Sequence, residues 1–146
     1  MFTKEQLEGI ILSLSNPEIS IEKDDNQSIG YRIRLRVHFR VSNRDFLVML
    51  QNTLTEYGVE SYLKNSEKDS RPYPLLRITK VSNLIEFFNL IPELPTSNNK
   101  FDKFLEVLTI VSNKHHLTQK GFDRILKIKG ILLWVLLVWE IRKNQF

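Results

Sequence analysis

The sequence has no cysteine and only three histidines in 146 residues. Disulfides and zinc-thiolate sites are therefore excluded, and imidazole ligands for a metal are scarce, which suits a reducing compartment. A glycine-rich phosphate loop is missing as well. There is no long hydrophobic run: the most apolar stretch, ILLWVLLVW at 131–139, is bracketed by Lys127, Lys129 and Glu140, and a membrane span needs roughly 20 such residues. We read it as a buried or partner-covered helix end, with Trp134 and Trp139 pointing to a protein partner rather than a membrane. The first residues, MFTKEQLEGI, show neither a basic region before an apolar run nor an amphipathic Arg/Ser presequence, so no targeting segment is expected.

One absence is local. In YRIRLRVHFR, Arg32, Arg34, Arg36, His38 and Arg40 occupy every even position and Tyr31, Ile33, Leu35, Val37 and Phe39 every odd one, with no acid among them. Strict two-residue alternation predicts a strand whose odd side chains meet a core while the even ones are exposed. Neighbours on that face stand roughly 6.6 Å apart, inside the ~8 Å screening length of physiological salt, so the guanidinium groups repel one another. Two arrangements offset this. Acids on adjacent strands, such as Glu18, Glu22 or Glu60, can neutralise the row through cross-strand pairs, or the row can serve a polyanion, Arg supplying paired donors to phosphate oxygens and stacking on bases.

The rest of the charge is placed unevenly. After Asn113, Lys114, Lys120, Arg124, Lys127, Lys129, Arg142 and Lys143 stand against Asp123 and Glu140, a net of +5 within a total of +4, which leaves residues 1–112 at −1. The length suits one domain, with residues 1–130 as its body and 131–146 as an apolar, then basic, extension. Along the body, Thr3 starts a helix with Leu7, Ile10, Ile11 and Leu14 as its stripe, stopped at Asn16-Pro17. EISIEK at 18–23 and Tyr31–Val41 form a hairpin. Ser42 opens a helix carrying Phe46, Leu47, Leu50, Leu54 and Tyr57, closed by Gly58. VESYLKN and YPLLRIT make a second hairpin on which Tyr62, Lys64 and Arg77 are candidate exposed groups. Helices follow over SNLIEFFNLI, over Lys100–Asn113 with Phe101, Phe104, Leu105, Leu108 and Val111 buried, and after the cap Thr118 with Phe122, Ile125, Leu126 and Ile128 as core positions. The expected fold is α+β: an antiparallel sheet, helices on one face and a free basic face opposite.

GYRIRLRVHFRVSNRDFLVMLQNTL, LLRITKVSNLIEFFNLIP and NKHHLTQKGFDRILKIKG together resemble the LAGLIDADG homing endonuclease and maturase family, from Gln6 to about Gly130. The most specific element is His-Leu-Thr with Gly121 at the fourth position and Ile125-Leu126 beyond. The resemblance implies an αββαββα repeat whose saddle-shaped sheet lies along a nucleic acid duplex. It also implies that a single repeat works as a dimer through its first helix. In that family an acidic residue at the end of the first helix binds divalent cations. Here the match through Leu7 and Gly9 puts Leu14 or Leu12 at that place, and the match back from Ser20-Ile21 puts Asn16 there with Pro17 after it. Neither supplies a carboxylate, and the nearest acid, Glu18, follows the proline.

Other chemistry finds little support. His115 and His116 are adjacent and point apart, so they form no two-histidine metal face and read as part of the cap before Thr118. Ser13, Ser15 and Ser20 have no spaced His or acid that would make a nucleophile. The sequence therefore predicts no catalytic residue, metal or cofactor. It predicts a degenerate, non-enzymatic member that binds structured RNA, ribosomal or intronic, with the alternative of an active homodimeric DNA endonuclease using Glu18. The expected contacts are Arg32, Arg34, Arg36, His38, Arg40, Lys64, Arg77, Lys120, Lys127 and Lys129. Neighbouring ribonucleoprotein subunits, or a second copy through the first helix or Trp134–Trp139, are the expected protein partners. Abundant Lys, Asn, Ile and Ser point to a mitochondrion, with the chloroplast as alternative.

Overall fold

A computed structural model describes residues 1–91 and 99–130. The expected extension at 131–146, with Trp134 and Trp139, lies outside the described residues, as does most of the loop PELPTSNN. Thr3 opens helix α1 (Lys4–Leu14) with a reciprocal cap: its hydroxyl accepts from the Gln6 amide at 3.2 Å while the Gln6 side chain accepts from the Thr3 amide at 3.0 Å. The chain then enters strand β1 (Ser15–Lys23) directly. Asn16-Pro17 was expected to stand between helix and strand as a stop. Both instead belong to β1, because β1 is an edge strand, where a missing amide hydrogen is tolerated.

Strand β2 (Tyr31–Arg40) returns antiparallel to β1, in register from Ser15 opposite Phe39 to Lys23 opposite Tyr31. The turn between them closes with the Asp24 amide donating to the Gly30 carbonyl at 2.9 Å, Gly30 taking φ +88°. Helix α2 (Arg44–Glu56) follows, with Asn43 rather than Ser42 as cap, its side chain accepting from the Phe46 amide at 3.2 Å. A short hairpin, β3 (Tyr62–Lys64) and β4 (Leu75–Ile78), joins the far side of β2, so the sheet order is β1-β2-β4-β3. Helix α3 (Val81–Asn89), helix α4 (Asn99–Ser112), a 3-10 turn at His115–Leu117 and helix α5 (Gln119–Lys129) complete the described chain.

One core joins these elements. Leu35, Val37 and Phe39 of β2 with Leu76 and Ile78 of β4 pack on Leu7 and Ile11 of α1, Leu47, Leu50 and Leu54 of α2, Leu84 and Phe87 of α3, Phe104, Val107 and Leu108 of α4, and Ile125 of α5. The helices therefore cover one face of the sheet, as the alternation in β2 requires. Some expected core positions move, Leu14 at the end of α1 among them at 40% exposure. Leu105 is exposed and Val111 only half-buried, whereas Val107 is fully buried, because the inward face of α4 centres on Phe104, Val107 and Leu108 and leaves Leu105 at its margin. Tyr57, expected on the stripe of α2, is its exposed C-terminal cap.

Gly121 explains the spacing after Thr118. Thr118 caps α5, accepting from the Gly121 amide at 3.1 Å, and its own hydroxyl donates to the His115 carbonyl at 2.7 Å. A Cβ at position 121 would lie 1.9 Å from that carbonyl oxygen. The backbone of His115 thus takes part in the cap before α5, and its imidazole is exposed.

Candidate nucleic-acid interface

The face away from the helices collects one side chain from every second position of four strands. The pairings bring Asn16, Glu18, Ser20 and Glu22 of β1 beside Arg32, Arg34, Arg36, His38 and Arg40 of β2, then Arg77 of β4 opposite His38, and Tyr62 of β3 opposite Arg77. Lys64 lies on the same face, opposite Leu75, its ammonium donating to the Glu67 carbonyl at 2.9 Å.

The row is less bare than its sequence suggested. Glu22 pairs with Arg34 at 2.9 Å and lies 3.8 Å from Arg36. Glu18, Cα-opposite Arg36, turns along the strand to Arg40 at 2.9 Å and His38 at 3.0 Å. Glu67, in the hairpin loop, accepts from Arg40 Nε through both oxygens at 3.1 Å. No pattern in SEKDSRP marked Glu67, since its reach depends on how the loop folds back over β2. Glu60, the third acid considered, is exposed, and its amide is held by the Asn83 side chain at 3.1 Å instead.

His38 departs most from expectation: it is buried, at 2% exposure, where an exposed basic group was predicted. Arg77 Nε donates to its Nε2 at 3.0 Å and its Nδ1 lies 3.0 Å from Glu18 Oε2. This bonding assigns a neutral ring with the proton on Nδ1, so the 3.0 Å approach of Arg40 to Nδ1 is a contact and not a donated bond. Burial lowers the proton affinity of His38, and the Arg40 and Arg77 charges add to this against the opposing pull of Glu18. For Glu18 itself burial acts to raise the pKa, but the hydrogen bonds and charges of Arg40 and His38 outweigh it and the net direction is down. Glu67 is lowered by its bonds to Arg40.

His38 is thus fixed inside the protein and Arg40, half-buried, is tied to Glu18 and Glu67, while the uncompensated cationic character concentrates on the first half of β2. Arg32 is exposed, with no ion-pair partner among the described residues, and Arg34 and Arg36 share one carboxylate. The three lysines of the last helix are not brought to this face. Phe122 of α5 stacks on Tyr31, an odd residue of β2, with ring centroids 5.5 Å apart, so α5 lies with the other helices. Lys120 lines a depression with His115 and Arg124, Lys127 is exposed on the same helix, and the Lys129 ammonium donates to the Ile19 carbonyl on β1.

At the end of α1, Leu14 is 40% exposed, the Ser15 hydroxyl is buried against the Ile11 carbonyl, and Asn16 donates to Glu18 Oε1 at 3.3 Å. Both oxygens of Glu18 are committed, one to Asn16 and Arg40 and the other to His38. A divalent hard-cation site needs several anionic or carbonyl oxygens turned to one point. Among the described residues of this one chain no group of three or more His, Cys, Asp or Glu side chains is placed to hold a metal, and Leu14, Ser15 and Asn16 bring no carboxylate to the end of α1.

Residues 20–92, half of the chain, match the LAGLIDADG-like domain family. The chain belongs to this family. Among curated proteins, a Neurospora crassa protein named "Probable intron-encoded endonuclease 3" is 26% identical over 124 residues, 84% of this chain and 23% of its own length. A second from the same organism, "Probable intron-encoded endonuclease 2", is 26% identical over 107 residues, 70% of this chain and 23% of its own. The chain therefore spans about a quarter of these relatives. Among solved LAGLIDADG structures, the homing endonuclease I-TnaI superposes with a TM-score of 0.71 at 21% identity, covering 87% of this chain and 85% of that one. The meganuclease I-CpaMI, bound to uncleaved DNA, gives 0.74 at 24% identity, covering 91% and 46%. I-LtrWI, bound to target DNA, gives 0.73 at 20%, covering 88% and 43%. These likenesses establish the LAGLIDADG homing endonuclease fold for the chain.

Proposed function

We propose that this LAGLIDADG domain binds nucleic acid without cutting it, holding structured organellar RNA, ribosomal or intronic, against the sheet face that carries Arg32, Arg34 and Arg36. The observation behind this reading is the commitment of Glu18: the acid nearest the end of α1 has both oxygens engaged, and Leu14, Ser15 and Asn16 around it offer no anion. Ligating a metal through Glu18 costs its bonds to Arg40 and leaves a buried histidine without its acceptor. Scaffold binding needs none of that chemistry. RNA is favoured over DNA because DNA cleavage is left without a mechanism, whereas RNA scaffolds need only affinity and shape. The composition rich in Lys, Asn, Ile and Ser supports a mitochondrial setting, with the chloroplast as the alternative. A second copy is the partner we assign to α1, whose outward side presents Leu14 and an open Gly9 with nothing within 4 Å of its would-be Cβ.

The second reading is an active homodimeric DNA endonuclease, favoured by the names of the Neurospora relatives and by the DNA held in the I-CpaMI and I-LtrWI structures. Crosslinking in the native source with sequencing of the attached nucleic acid, alongside a magnesium-dependent nicking assay on the purified chain, separates the two. One recovered ribosomal or intron RNA without nicking is the expected result. A recovered DNA site that is cut overturns the non-catalytic reading.

A further inference from the structure

Strand β2 is ten residues long but β4 is four, and their pairing runs only from Val37 opposite Ile78 to Arg40 opposite Leu75. Beside Arg32–Arg36, no described strand takes the side of β2 away from β1. The gap is a groove of about 480 Å³ whose lining includes Arg32, Tyr62, Arg77 and Thr79, with Val81 of α3 and Val111 of α4 showing through from the helical layer. A site of this size falls in the ~300–1,000 Å³ range of small-ligand pockets. Tyr62, Arg77 and Thr79 also line a second depression of about 230 Å³. Tyr62 borders both hollows and is 62% exposed.

We propose that this groove receives a single unpaired nucleotide extruded from the bound RNA, its base laid against the Tyr62 ring, its phosphate held by Arg77 and the phosphate of a neighbouring nucleotide held by Arg32. The assignment rests on the RNA-binding reading above and names what that face selects. Four features of the groove match an extruded nucleotide. A planar apolar surface is offered by Tyr62, and every base has a face to stack on it. Polar edges of a base meet the Thr79 hydroxyl and the amides and carbonyls along the unpaired side of β2. Arg77 uses Nε on His38, which leaves its two Nη groups for a phosphate, and Arg32 has its whole guanidinium available. The apolar lining of Val81 and Val111 favours a base over a second phosphate. A base inside a duplex has its faces stacked and its edge paired, so it cannot enter, and the groove distinguishes bulged or looped RNA from continuous helix.

The test uses the full chain, a short RNA duplex carrying one bulged 2-aminopurine, and the same duplex fully paired. The bulged duplex is expected to bind about tenfold tighter, since a base stacked on an aromatic side chain adds an increment of that order. Its fluorescence is expected to fall on binding. Tyr62→Ala should remove both the preference and the quenching, while Tyr62→Phe keeps both. Equal affinities for the two duplexes, or a preference that survives Tyr62→Ala, overturn the groove assignment while leaving RNA binding intact. Absence of salt-sensitive binding to either duplex overturns the RNA-binding reading itself, and the groove assignment with it.

Discussion

At the scale of single residues, Glu22 restrains the arginine row. Its carboxylate holds Arg34 and stands near Arg36, so two of the four outward arginines of β2 are half neutralised before any ligand arrives. Glu22→Gln should therefore strengthen RNA binding by roughly three- to tenfold at low salt and steepen its salt dependence by about one ion, read by fluorescence anisotropy across a salt series. An unchanged or weaker affinity would mean that Arg34 and Arg36 do not meet the ligand. His38 sets a second prediction. Folding lowers its proton affinity, so its contribution to stability is complete above the ordinary histidine value of about 6.5 and is lost as pH falls from there through the lower folded value. His116, lowered by burial, acts in the same direction. Thermal denaturation should show a falling midpoint between pH 7.5 and 5.5, and His38→Gln should flatten that slope more than His116→Asn, because only His38 must give up an Arg77 bond to take a proton. The depressed carboxyls Glu18 and Glu67 add their own loss further into acid, below the usual carboxylate range.

At the scale of elements, the entry to α5 carries the sharpest steric constraint. Alanine in a helix normally gains about 1 kcal/mol over glycine. At position 121 the added methyl would lie 1.9 Å from the backbone oxygen of His115, which cannot swing aside as a side chain can. Gly121→Ala should therefore destabilise the chain, by about 1–3 kcal/mol in urea unfolding, despite the better propensity. The elements themselves were largely legible. Alternation gave β2 its two faces, Thr3 and Thr118 marked their helix starts, and the two hairpins and the helical layer follow the hydrophobic periods. What could not be read were consequences of register and reach. Glu18 bypasses its Cα partner Arg36 for Arg40 four residues on, Glu67 arrives from a loop, and His38 sinks because Arg77 and Glu18 close over it. Periodicity reports which side a residue faces. It does not report how deep that side becomes once three strands bring their long side chains together.

At the scale of the molecule, the arginines of the sheet face are gathered. If Arg32, Arg34, Arg36 and Arg77 make three to four phosphate contacts, affinity should fall roughly forty- to 150-fold between 50 and 200 mM salt. Arg34→Glu combined with Arg36→Glu should abolish most of that dependence along with the affinity, as measured by filter binding on a variant whose circular dichroism is unchanged. The sheet also has an outer boundary, and its chemistry decides how copies can join. Edge strand β1 carries Pro17, which has no amide hydrogen to lend, and one of its carbonyls, that of Ile19, is already taken by Lys129. That border is a poor template for a neighbouring chain. Strand-to-strand joining of copies is thereby disfavoured along β1, one of the two edges of the described sheet.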